Sequence, residues 1–76
     1  MTMATSNEAY REELAKRLRE ARDRKKLGLR ELARLADVSP SYLSEIEDAK
    51  NIPSIDKIQR IARALGVSLS RLLPAA

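Results

Sequence analysis

The chain contains neither histidine nor cysteine, so its chemistry must come from carboxylates, ammonium and guanidinium groups, and hydroxyls. The missing imidazole removes the commonest general base and the commonest metal ligand. Without thiols there are no disulfides and no cysteine-based zinc sites. Catalysis would need a tuned lysine or a carboxylate pair in a cleft. No two carboxylates stand at a spacing that suggests such a pair, and 76 residues offer little cleft. An enzyme is therefore not expected, nor is a cofactor or a metal. What remains is recognition by charge and hydrogen bonds. Fifteen lysines and arginines against eleven aspartates and glutamates give a formal net charge of +4, which suits a polyanionic partner.

The charge is uneven along the chain. Up to Lys26 it is basic, with Arg11, Lys16, Arg17, Arg19, Arg22, Arg24, Lys25 and Lys26 outweighing Glu8, Glu12, Glu13, Glu20 and Asp23. From Leu27 to Lys50 it is slightly acidic. Beyond Asn51 it turns basic again through Lys57, Arg60, Arg63 and Arg71.

The elements that must position these groups are all helical. Residues 1–7 are expected to be disordered and residues 8–74 to form one domain. Ser6 or Asn7 can cap a first helix from near Glu8 to about Lys26, with Tyr10, Leu14, Leu18 and Ala21 as its apolar stripe. Gly28 breaks the chain, and Leu29 to Ala36 is helical again. Asp37 and Val38 form a tight turn. Ser39 is a strong N-cap, and Pro40 falls at the first helical position, where its missing N–H costs little. That third helix ends near Asp48. Ser54 caps a fourth helix whose buried stripe is Ile55, Ile58, Ile61, Ala62 and Leu65, closed by Gly66. Ser68 caps a short last helix, Leu69 to Leu73, stopped by Pro74. The expected core adds Leu32, Ala33, Ala36, Val38, Leu43, Ile46, Val67 and Leu72. A chain of this size buries only about 60% of its unfolded surface, so it builds one modest core.

The stretch from Leu27 to Glu47 is the most informative. Two short helices joined by a tight turn, at about residues 29–48, have the layout of a helix-turn-helix, whose second helix can enter a DNA major groove.

From about Leu18 to Leu73 the chain resembles the Xre/Cro-type (lambda-repressor-like) helix-turn-helix family. The resemblance is carried by Arg22, Leu32-Ala33, Val38-Ser39, Tyr42-Leu43-Ser44-Glu45-Ile46-Glu47, Pro53-Ser54, and Ile61-Ala62-Arg63-Ala64-Leu65-Gly66-Val67-Ser68 with trailing Leu72-Leu73. Each piece alone is weak; all of them in order make a strong signal. The resemblance implies a compact five-helix domain with the third helix as the reading element. Pro40, Ser41, Tyr42 and Glu45 would face base edges or nearby phosphates, and are taken as the base-reading set. Leu29 and Arg30 at the start of the second helix, Ser39, and Lys50 and Asn51 after the third would meet the DNA backbone. Arg22 and Glu47 match a structural ion pair between the first and third helices. Three positions depart from the family pattern. Gly28-Leu29 replaces the usual polar pair, while Asp37 and Ala49 stand where glycine is frequent, implying slight backbone strain.

Bland readings stand beside these. Ser41 and Tyr42 could be ordinary surface residues, and Tyr42 could pack on the second helix. Tyr10 is expected in a core or dimer contact. Arg17, Arg19, Arg24 and Lys25 are expected on a solvated face. The reading helix carries no lysine or arginine but holds Glu45 and Glu47, followed by Asp48. Each uncompensated acid near phosphates is unfavourable, although Glu45 could accept from a cytosine amino group.

The expected function is a sequence-specific DNA-binding transcriptional regulator, a dimeric repressor on a pseudo-palindromic operator in double-stranded DNA. A restriction–modification controller is one subclass of it. The alternative is the same fold used as a protein-interaction module, such as an antitoxin or an adaptor. The homodimer is expected to form through the C-terminal region, where Leu69, Leu72, Leu73 and Pro74 could not all be buried in one small monomer. No apolar run approaches the roughly 20 residues that span a bilayer, and Met1 to Asn7 lacks signal-peptide character, so a cytoplasmic location is expected.

Overall fold

Five helices follow one another in the computed structural model, which describes residues 3–74, with side chains from Asn7 onward. They are α1 (Met3–Arg24), α2 (Leu29–Ala36), α3 (Pro40–Glu47), α4 (Ile55–Leu65) and α5 (Leu69–Leu72). No strand occurs among the described residues. The first helix begins at Met3 rather than near Glu8, so Ser6 and Asn7 lie inside α1 rather than at its cap. No glycine or proline interrupts Met3 to Asn7, so nothing local stops the helix from extending. Met1 and Thr2 of the expected disordered segment lie outside the described residues.

The corners close in one way. A residue in left-handed backbone follows each of the first four helices: Lys26 (φ 57°), Asp37 (φ 59°), Ala49 (φ 62°) and Gly66 (φ 70°). In each corner the next N–H reaches back five residues to a helical carbonyl. Leu27 donates to Arg22, Val38 to Ala33, Lys50 to Glu45 and Val67 to Ala62, at 2.9–3.2 Å. This satisfies carbonyls that a helix end otherwise leaves open. Gly66 takes this conformation at no steric cost, whereas Lys26, Asp37 and Ala49 each carry a Cβ there.

Serine caps α3 and α4. Ser39 accepts from the Tyr42 N–H at 3.0 Å, and Ser54 accepts from the Lys57 N–H at 3.4 Å. Ser68 stands at the N-cap position of α5 but makes no capping bond; its hydroxyl lies 3.2 Å from that of Ser70. Gly28 precedes α2 with no side chain to cap it.

α2 packs on α3 and α4, while α1 packs on α3 and α5. The core between them holds Leu14, Leu18, Leu32, Leu43, Ile46, Ile58, Ile61, Leu65 and Leu72, all but fully buried, with Ala15, Ala21, Ala33, Ala36 and Ala62 filling the closer approaches. Val38 and Val67 are half-buried at its edge. Ile55 departs from the expected core, being 60% exposed. Its place in the α4 stripe is right, but α4 starts there, so the side chain extends past the end of the packed layer. Tyr10 is half-buried and lies outside the core cluster. Leu72 is sealed inside, and Leu69, Leu73 and Pro74 are half-buried, so the C-terminal apolar residues are largely covered within one copy. Among the described residues no helix is long and apolar enough to cross a membrane.

Candidate nucleic-acid interface

The reading-helix candidate is anchored on one side and open on the other. Leu43 and Ile46 of α3 are fully buried, and this fixes the helix against α1 and α2. The opposite side presents Pro40, Ser41 and Glu45, which are exposed. Ser39 is also exposed at the cap, so the first turn of α3 faces solvent. Tyr42 is half-buried, its ring packed at the edge of the core. The ring also meets α4, for the Lys57 ammonium stands 5.0 Å from its centroid.

Residues expected at the backbone of a duplex are spread around this turn. Arg30 and Lys50 are exposed. Leu29 packs its side chain against the core, so only its backbone N–H is free for a ligand. With Gly28 offering no cap, the first N–H groups of α2 have no side-chain acceptor, the arrangement that suits an anion. Asn51 does not point away alone. Its side-chain amide donates to Glu45 Oε1 at 3.3 Å, so two residues expected in different roles hold each other. One Glu45 oxygen is left for another donor.

The far end of α3 is electrostatically compensated from α1. Arg22 forms a two-point pair with Glu47, Nε to Oε2 at 2.7 Å and Nη2 to Oε1 at 2.9 Å, and its Nη1 donates to the Leu27 carbonyl at 2.9 Å. Glu47 is the one buried charged residue among those described, at 5% exposure. Its hydrogen bonds raise the Arg22 guanidinium above its ordinary value, so the charge is fixed. Arg19 donates to the Glu47 carbonyl, and Arg11 donates to the Ala49 carbonyl at 3.2 Å. Three guanidinium groups thus meet the negative end of the α3 dipole and its acidic residues.

Sequence reasoning missed Arg11, and it placed Arg19 on the solvated face. The signal was present: Arg11, Ala15, Arg19 and Arg22 recur at helical spacing on one side of α1. Arg17 is likewise not merely solvated. It pairs with Glu13 at 2.9 Å and donates to the Leu73 carbonyl at 3.1 Å, tying α5 to α1. Lys57 was read only as part of a basic stretch. Asp37, at the left-handed corner between α2 and α3, accepts from Arg60 of α4 at 3.3 Å. Among the described residues no group of acidic side chains could hold a metal ion.

Comparison with known proteins agrees with this arrangement. A family model described as helix-turn-helix, HTH_3, matches residues 16–72. The HTH-type transcriptional regulator DdrOP3 of Deinococcus deserti is 37% identical over 60 residues, which cover 79% of this chain and 46% of that protein. The chain thus spans under half the length of this curated relative. The crystal structure of the clp gene regulator ClgR from Corynebacterium glutamicum superposes with a TM-score of 0.79 at 40% identity, covering 83% of this chain and 67% of that one. The restriction-modification controller protein C.AhdI from Aeromonas hydrophila superposes with a TM-score of 0.83 at 31% identity, covering 86% and 98%. The arrangement of α2 and α3, the corner between them and the family match over most of the chain lead to one conclusion: the chain belongs to the HTH_3 helix-turn-helix family.

Proposed function

We propose that this chain is a sequence-specific DNA-binding transcriptional regulator whose single domain, over residues 8–74, binds as a homodimer. The observation that carries the reading is α3 itself: its inward side is fixed by Leu43 and Ile46, while Pro40, Ser41 and Glu45 stand exposed on its outward side. Such a helix can enter the major groove, where hydroxyl and carboxylate groups distinguish base edges. Arg30, Lys50 and the uncapped start of α2 would meet phosphates on either side. The compensation of Glu47 by Arg22 and Arg19 supports the same reading, because it removes much of the objection to an acidic reading helix.

Few cations flank α3, so one copy would bind weakly and two copies would bind a pseudo-palindromic site. Their reading helices would lie about 34 Å apart, one turn of the duplex. Because Leu72 is sealed in the core, the dimer surface in this reading moves from Leu69–Pro74 to the exposed Ile52 (46%) and Ile55 (60%), still in the C-terminal third of the chain. Binding over a promoter would repress transcription.

Selection of bound duplexes from a random pool tests the proposal. A preferred, symmetric site is the expected result. Flat titrations at low salt, together with a co-purifying protein, would favour the protein-interaction reading instead. Ile52→Glu with Ile55→Glu is expected to turn the dimer into a monomer in sedimentation.

A further inference from the structure

Lys57 occupies the same position in α4 that Tyr42 occupies in α3. Each is the third residue after its capping serine, and each donates its backbone N–H to that serine. The two side chains meet, the Lys57 ammonium 5.0 Å from the Tyr42 ring centroid. The contact brings the first turn of α4 beside the first turn of the reading helix, next to exposed Pro40 and Ser41. The ring attracts the cation through its face but satisfies none of its N–H donors. Among the described residues no carboxylate pairs with Lys57. The neighbouring acid, Asp56, is turned to Arg60 at 3.4 Å, and Arg60 also holds Asp37. A positive charge with open donors is therefore seated against the side of α3, which has no basic residue of its own.

We infer that Lys57 is a contact to a DNA phosphate, and that Tyr42 is the positioning residue that sets where its ammonium stands. The inference rests on the DNA-binding reading above and adds a site to it. The ring confines a long, flexible side chain, so less of its freedom is lost when it meets a phosphate oxygen. A phosphate contact carries no base identity, so Lys57 contributes affinity on every sequence alike.

The experiment measures binding of the full chain to two probes by fluorescence anisotropy over a series of salt concentrations. One probe is the duplex recovered by random-pool selection and the other is a duplex of scrambled sequence. Lys57→Gln is expected to weaken both complexes several-fold and to reduce the slope of log affinity against log salt by about 1. Lys57→Arg restores the slope. Tyr42→Leu lowers it as Lys57→Gln does, because the cation loses its seat. Arg71→Gln, which removes an exposed charge on α5, leaves the slope unchanged. Circular dichroism confirms that each variant is folded. A wild-type slope in Lys57→Gln overturns the inference while leaving DNA binding in place. An equal drop in Arg71→Gln also overturns it, by assigning the effect to net charge. Absence of salt-dependent binding by the wild type overturns the DNA-binding reading itself.

Discussion

The two ends of α3 are built differently. At the C-terminal end Arg22, Arg19 and Arg11 converge on Glu47 and on the carbonyls of Glu47 and Ala49. There each guanidinium that reaches Glu47 or the Ala49 carbonyl comes from α1, across at least 25 residues of sequence. In the first turn of α3 the hydrogen bond to a side chain among the described residues is local, from the Tyr42 N–H to Ser39. One end is fastened to the body of the molecule, and the other is left for a ligand. The difference separates stability from recognition: changes at the fastened end should unfold the protein, and changes at the open end should alter what it binds.

The largest expected effect is at the fastened end. Glu47→Ala leaves Arg22 partly buried without its carboxylate, and Arg22→Ala strands Glu47 at 5% exposure. Either change should cost about 3–5 kcal/mol in urea unfolding. Replacing both partners with apolar residues of similar size should cost less than the two single changes combined. If the single variants melt like the wild type, the clamp is not what holds α3.

On the exposed side of α3, Ser41→Ala with Glu45→Ala should reduce discrimination between the selected duplex and a scrambled one by about 1–3 kcal/mol, with little change in thermal stability. An unchanged preference would remove these residues from the reading surface. Ser39→Ala should cost about 1 kcal/mol of stability by leaving the Tyr42 N–H without its cap. It is the one change at this end that should appear in an unfolding curve.

The corner after α3 offers a smaller effect of opposite sign. Ala49 sits at φ 62°, where a Cβ costs about 1–2 kcal/mol, and Arg11 reaches only its carbonyl. Ala49→Gly keeps that hydrogen bond and relieves the strain. The extra backbone freedom of glycine in the unfolded chain offsets part of the gain. A net stabilisation of about 0.5 kcal/mol is expected, read from the urea midpoint.

The smallest effect concerns pH. The hydrogen bond from Arg17 holds the exposed Glu13 carboxylate below its ordinary value. A depressed carboxylate contributes stability that is present above its unfolded pKa and is lost as the pH falls through its folded pKa. Glu13→Gln should therefore flatten the acid limb of the stability curve slightly and leave neutral stability nearly unchanged. This pair ties nothing to α3, so an effect comparable to that of Glu47→Ala would contradict the assignment of the clamp.

Much of the fold was legible because its signals are local. Ser39-Pro40 starts a helix whatever surrounds it, since the cap bonds only three residues ahead. Gly66 ends one for the same kind of reason. The apolar stripes placed nearly all of the core, and the ordered pieces from Arg22 to Leu73 carried the family resemblance. Lys26 at φ 57° was not legible, because lysine gives no sign of left-handed backbone. The exposure of Ile55 was not legible either, because periodicity identifies a face of a helix but not where the neighbouring layer stops.

The sequence by itself determined which segments are helical, where they are capped and which side of each is apolar, because these follow from interactions within one or two turns. Only the tertiary structure decided that Arg11 and Arg19 would close the end of α3, that Asn51 would hold Glu45, and that Lys57 would stand over Tyr42. Most of those contacts join different helices, and all of them depend on how the chain turns after a helix ends. That arrangement is fixed by how the buried side chains interlock, which no local pattern specifies.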